Sequence, residues 1–167
     1  MKQATLAVII AFVILVALAV PLYFYTRPPE IEAGTIQVTG NVNHPQNITL
    51  TQLQAYPTTT IQATLTSGGN PSDNGVFNYT GVLLRDLLNQ AQVTANATSI
   101  YVQASDGYGA TISLKDAQSD STLIAYSKDG NSLLPLKSGG EGPFRLVIGG
   151  DTYAQRWVKG VIVIKVS

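Results

Sequence analysis

The chain of 167 residues contains no cysteine, one histidine, one methionine and one tryptophan, and only 12% of it is charged. Without cysteine there is no disulfide scaffold, no thiolate nucleophile, no iron–sulfur cluster and no cysteine-bearing zinc site. The lone His44 cannot build an all-histidine metal cage within one chain. Charge of neither sign is in excess: 10 Lys+Arg stand against 10 Asp+Glu. That balance excludes the basic surplus of a nucleic-acid binder. Walker A, G-x-G-x-x-G, H-E-x-x-H and G-x-S-x-G strings are all missing. A Ser–His–Asp triad would have to use His44, which precedes Pro45 in a turn and reads as a surface residue.

What is present begins with a long apolar run. Ala4 to Phe24 carries no charge and is mostly Ala, Val, Ile and Leu. Roughly 20 helical residues cross a hydrocarbon core of about 30 Å. Lys2 precedes the run, Tyr23, Phe24 and Tyr25 close it as an interfacial aromatic belt, and Arg27 follows. Ala17-Leu18-Ala19 would also suit signal-peptide cleavage, but the length of the run and its aromatic end favour an uncleaved anchor. Either reading places the remainder outside the cytoplasm. The expected organisation is an anchor or signal peptide over 1–27, a linker over 28–35 opened by the stiff Pro28-Pro29-Glu30, and a domain over 36–167. The protein is thus expected in the cell membrane as a single-pass chain with its C-terminal domain extracytoplasmic.

Setting Lys2 and Arg27 aside leaves 8 basic against 10 acidic side chains, so the outer part is slightly acidic. About 140 residues can bury around two thirds of their unfolded surface. Asn47-Ile48-Thr49, Asn78-Tyr79-Thr80 and Asn96-Ala97-Thr98 are N-x-[ST] sequons, acceptors only where the organism glycosylates.

Periodicity predicts a mixed domain. Ile36-Gln37-Val38 alternates and stops at Gly40, and Leu50 to Ala55 reads as one helical turn halted near Pro57. Thr60 to Thr66 sets Ile61, Ala63 and Leu65 on one face, the pattern of a strand. Ser67 to Asn78 is rich in Gly and Asn and reads as a long loop. Leu83, Leu84, Leu87, Leu88 and Ala91 form the stripe of an amphipathic helix. Ile100 to Ala104 is a further strand, closed by Asp106-Gly107-Tyr108-Gly109; Leu114 to Ala117 is a helical turn. Leu123 to Ser127 is a strand before the Asp129-Gly130 turn, and Phe144 to Ile148 and Gly160 to Val166 are Val- and Ile-rich strands. About six strands and one substantial helix give an α+β domain with a largely antiparallel or mixed sheet.

Two segments could carry chemistry on their own. Ser138-Gly139-Gly140-Glu141-Gly142-Pro143 could offer backbone amides to an anion, but it precedes a strand and reads as an inter-strand loop. Arg145, Arg156 and Lys159 lie close in sequence and could form an anion-binding patch, with solvated strand ends as the plain alternative.

Several strings together resemble a known family. Ile36-x-Val38-x-Gly40-x-Val42-x-x-Pro45, followed by Ile48-Thr49-Leu50-x-x-Leu53, is similar to the opening of the sulfite-oxidase-type molybdopterin-binding domain. Tyr79-x-Gly81-Val82-x-Leu84-x-Asp86-Leu87-Leu88 resembles its G-V-x-L-x-x-L-L segment, and Ser105-Asp106-Gly107-Tyr108 its D-G-Y turn. Gly142-Pro143-Phe144-Arg145-Leu146-Val147 resembles its G-P-x-R-L-V strand, and Arg156-Trp157-Val158-Lys159-Gly160-Val161 its closing W-V-K segment. The strings run in the family's order from Ile36 to Val166.

The resemblance implies a sulfite-oxidase-like mixed-sheet fold. In active members a pterin cofactor lies in a pocket and one cysteine thiolate binds molybdenum, in a string like T-L-x-C-x-G-N. Thr64-Leu65-Thr66-Ser67-Gly68-Gly69-Asn70 stands there in this chain, so Ser67 takes the cysteine's place. A thiolate is a soft donor with a free pKa near 8.5, whereas a hydroxyl is harder and far less acidic. By motif match the cofactor-binding candidates are Ser67, Asp106, Tyr108, Arg145 and Lys159, with Ser67 the metal candidate. The cofactor expectation is molybdopterin or none. Three functions are then open: a degenerate member binding a ligand or partner without ordinary catalysis, a working molybdopterin oxidoreductase with Ser67 as ligand, and a structural cell-surface module. Expected partners are the membrane, through the N-terminal helix, and a small molecule or redox partner, but not nucleic acid.

Overall fold

From Thr35 onward, β-branched and aromatic residues alternate with Gly-, Asn- and Asp-containing turns, and the segments between those turns pair into two sheets. The computed structural model describes residues 2–26, 34–68 and 73–167, without the side chains of 2–7, 11 and 24–26. The chain divides into two units, Met1–Glu30 and Ile31–Ser167. In the first, Lys2–Thr26 is a helix, α1, with Pro21 inside it. Its described apolar side chains, Val8 to Tyr23 among them, are exposed. Among the described residues no helix is long and apolar enough to cross a membrane. The anchor expected for Ala4–Phe24 includes side chains outside that set, and Arg27 and the Pro28-Pro29-Glu30 spacer lie outside the described residues.

The second unit is a mixed α+β domain. One sheet has the order β2 (Gln46–Thr49), β1 (Thr35–Gly40), β10 (Val161–Val166), β5 (Ser99–Ala104), β6 (Gly109–Ser113). β1 and β10 run parallel and the other pairs antiparallel. In the other sheet β3 (Thr58–Leu65), β4 (Gly75–Leu83) and β7 (Thr122–Lys128) are antiparallel neighbours. β8 (Asn131–Ser132) and β9 (Arg145–Ile148) pair with opposite ends of β7. Short helices and turns connect the strands, among them α2 (Leu50–Leu53), α3 (Leu84–Ala91), α4 (Leu114–Ala117) and a 3-10 turn at Ala154–Arg156.

Local chemistry explains these boundaries. Thr49 and Gln52 form a reciprocal capping box that starts α2. Ser113 accepts the Asp116 N–H to cap α4. α3 buries Leu84, Leu87, Leu88 and Ala91 on one face, and Gln92, in the left-handed region, ends it. Each fully buried leucine contributes about 1.5–3 kcal/mol. One core cluster takes Ile36, Val102 and Ile164 from the first sheet and Ala63, Tyr79, Leu123 and Leu146 from the second. Gly40 and Gly81 are required by close backbone approach: a Cβ at Gly40 (φ +91°) would meet the Val166 carbonyl oxygen at 2.0 Å, and one at Gly81 would meet that of Ile124 at 2.1 Å.

The expected α+β class is observed, with more strands than periodicity predicts. The main correction is β4. The loop expected over Ser67–Asn78 ends by Gly75, where the central strand of the second sheet begins. Its Asn and Gly residues disguise it locally, but pairing on both edges with β3 and β7 fixes it as strand. β2, β6 and β8 are short strands that periodicity did not distinguish from turns.

Candidate functional site

β3 ends at Leu65, and the three residues that come after it leave the sheet in a fixed course. The Thr66 carbonyl accepts the Ala154 N–H at 3.1 Å, and the Ser67 N–H donates to Asn74 Oδ1 at 2.6 Å. These bonds hold Leu65, Thr66, Ser67 and Gly68, with Asp73, along one side of a pocket of about 160 Å³. Its other side is Arg145, at the start of β9, together with Ala154, Gln155, Trp157 and Lys159. Lys159 is brought there because Leu146 N–H bonds the Val158 carbonyl, Val161 N–H bonds the Phe144 carbonyl, and Arg145 and Lys159 form an isolated antiparallel bridge.

Arg145 is 2% exposed and packs beside two rings, 5.5 Å from the Tyr79 centroid and 5.3 Å from that of Trp157. The two rings meet edge to face at 5.6 Å, and Trp157 Nε1–H donates to the Ile148 carbonyl at 3.0 Å. Arg145 Nη1 bonds Glu141 Oε2. Glu141 Oε1 faces Lys128 Nζ at 3.6 Å and Lys159 Nζ at 3.7 Å. Lys128 Nζ sits 3.7 Å above the Phe77 ring. One carboxylate thus gathers three cations over an aromatic floor. Burial pushes the Glu141 carboxyl pKa up, but the charges of Arg145, Lys128 and Lys159 and the Arg145 hydrogen bond outweigh burial and hold it below its ordinary value. Burial likewise pushes the Tyr79 phenol up to about 12, against the opposing charge of Arg145. Among the described residues, two polar atoms of this cluster, Tyr79 Oη and Arg145 Nε, are buried without a hydrogen-bond partner.

Of the sequence candidates, Ser67, Arg145 and Lys159 share the pocket. Tyr108 is exposed, but its hydroxyl donates to the carbonyl of Gln155, so it braces the rim rather than lining the cavity. Asp106 does not reach the pocket: its carboxylate accepts the Tyr108 N–H at 2.9 Å and shapes its own turn. Arg156 is removed from the expected anion patch, because Asp151 binds Nε at 3.1 Å and also Nη2, while Asp116 binds Nη1 at 2.7 Å. The hydrogen bond from Arg156 holds the Asp116 carboxyl below its usual range. The glycine-rich loop offers no amide cradle either; its Gly139, Gly140 and Gly142 N–H groups are taken by the carbonyls of Leu136, Pro135 and Leu134. His44 is exposed, as expected. Sequence reasoning missed Glu141, Lys128, Tyr79 and Trp157 as site residues. The W-V-K string pointed at Trp157; nothing local marked Glu141 as the partner of Lys128 and Lys159 as well as of Arg145.

The fold is that of a sulfite-oxidase-like domain. The profile of the oxidoreductase molybdopterin binding domain matches residues 25–167. The chain belongs to that family. Among solved structures it is similar to the crystal structure of the sulfane dehydrogenase SoxCD from Paracoccus pantotrophus, with a TM-score of 0.68 and 21% identity. That match covers 84% of this chain and 39% of the other, so this chain spans well under half of its length. No curated protein sequence matches.

The residues on the pocket do not fit a molybdenum–pterin group. The position along the β3 exit carries a hydroxyl instead of a soft thiolate. About 160 Å³ falls below the roughly 300 Å³ at which sites for drug-sized ligands begin. Arg145 is buried and its Nη1 is bonded to Glu141.

Proposed function

We propose that this protein is a membrane-anchored, extracytoplasmic member of the family that has exchanged oxidoreductase chemistry for binding of a small ligand in the pocket between β3 and β9. The carrying observation is that Ser67, Arg145 and Lys159 converge on one small pocket whose donor set lacks a soft metal ligand. Ser67 supplies a neutral hydroxyl, Arg145 and Lys159 supply fixed positive charge, and Trp157 supplies an apolar wall. Anchoring is supported by the uncharged run from Ala4 to Phe24 and the helix over Lys2–Thr26.

Two assays test this reading. The full chain, expressed in a molybdopterin-competent host, is expected to show no turnover of sulfite or of S- and N-oxides with artificial electron donors and acceptors; turnover abolished by Ser67→Ala would refute it. Because the chain has no cysteine, Lys165→Cys introduces a single label site. A membrane-impermeant maleimide is expected to label it in intact cells, and labelling only after lysis would reverse the topology.

A further inference from the structure

Three features of the pocket specify the chemistry of its ligand, and the ligand class they point to rests on the binding role proposed above. The first is that the protein displays a carboxylate on these cations. Glu141 Oε2 accepts from Arg145 Nη1, and Oε1 faces Lys128 and Lys159. The second is that Glu141 does not exhaust them. Arg145 lines the pocket and brings its positive charge to it. Lys159 is 3.7 Å from Glu141, beyond hydrogen-bond distance, and its side chain is 44% exposed, so its ammonium has donors to spare. Among the charged residues on the lining, Asp73 stands with Arg145 and Lys159, while Glu141 and Lys128 lie off it and offset each other. One net positive charge remains, which a monoanion neutralises and a dianion overshoots. The third is the wall. Leu65, Ala154 and Trp157 present hydrocarbon to the same cavity, an apolar surface that an inorganic oxyanion would leave unused.

We infer that the pocket binds a short-chain monocarboxylate. Its carboxylate sits on Lys159 Nζ beside the Arg145 guanidinium, and its chain lies against Leu65, Ala154 and Trp157. A cavity of about 160 Å³, roughly five water volumes, accommodates an acid of about two to four carbon atoms. Glu141 sets the specificity: its charge removes one unit from the cation cluster and so favours monoanions over sulfate or phosphate.

Trp157 is the only tryptophan of the chain and lines the pocket, so its fluorescence reports on this site alone. The full chain in detergent is titrated with acetate, propionate, butyrate and sulfate at constant ionic strength. A saturable change that tightens from acetate to butyrate is expected, with sulfate weaker than any of them. Lys159→Ala should weaken propionate binding about tenfold, the scale of one charge-assisted contact, while Lys159→Arg restores it and the surface control Lys165→Ala leaves it unchanged. Absence of a saturable response, sulfate binding as tightly as propionate, or an unchanged Lys159→Ala would overturn the inference. Molybdenum and pterin are assayed on the same samples. If both are present in proportion to chain, the underlying view of the pocket fails; if both are absent and no acid binds, only the ligand class fails.

Discussion

Replacing Glu141 by glutamine removes one negative charge from the middle of three positive ones while keeping the side chain's size. In the wild type, Arg145 is 2% exposed and Glu141 is its carboxylate partner, so the substitution leaves a guanidinium in the core beside two rings and a neutral amide. Breaking a buried ion pair from one side costs about 3–5 kcal/mol. The amide oxygen can still accept one Arg145 N–H, which places the expected loss near the lower end, about 3 kcal/mol. The Lys128 and Lys159 pairs, at 3.6 and 3.7 Å and partly exposed, add little. For a domain of this size, that loss lowers Tm by roughly 10 °C. Denaturant unfolding followed by Trp157 fluorescence measures it directly. The pH dependence adds a second check. The folded-state pKa of Glu141 lies below its ordinary 4.5, so its contribution is complete above 4.5 and is lost as pH falls through the folded value. The stability gap between wild type and Glu141→Gln should therefore be full at neutral pH and shrink in acid. A gap under about 1 kcal/mol at neutral pH, the size of an exposed pair, or one that does not narrow on acidification, would refute the view of Glu141 as the hub of the site.

Two further substitutions probe the frame around the pocket. Gly40→Ala places a Cβ 2.0 Å from the Val166 carbonyl oxygen at a positive φ, so we expect a loss of about 3 kcal/mol or more in denaturant unfolding, from strain and overpacking together. Tyr79→Phe deletes a buried hydroxyl that has no partner among the described residues; thermal unfolding should show no loss and a gain of up to about 1 kcal/mol. Wild-type stability should also fall as pH rises past the ordinary tyrosine value of 10.0, because the buried phenol is held neutral up to about 12, and Tyr79→Phe should flatten that fall.

Much of the frame was legible in the chain. The Ile36, Ile100, Leu123 and Ile164 strands and the α3 stripe follow from period-two and helical spacing, because each element turns one face to the core. β4 was not legible, since Asn, Gly and Thr give no strand signal until β3 and β7 pair on both sides of it. In the site, Ser67, Arg145 and Lys159 could be picked out by their place in family-like strings. The hub could not, because Glu141 meets Lys128 and Lys159 across separate elements and ordinary loop chemistry explains its glycine-rich surroundings equally well. Arg156 and Asp106 failed for a related reason: local partners, Asp151 for one and the Tyr108 N–H for the other, hold them away from the pocket.

The central claim, that this pocket has left molybdenum chemistry, is tested most directly by the molybdenum and pterin content of the full chain purified from a molybdopterin-competent host. The wild type and Ser67→Ala should both carry neither above background. Near-stoichiometric molybdenum in the wild type that disappears in Ser67→Ala would contradict the account, because it would make the Ser67 hydroxyl a metal ligand.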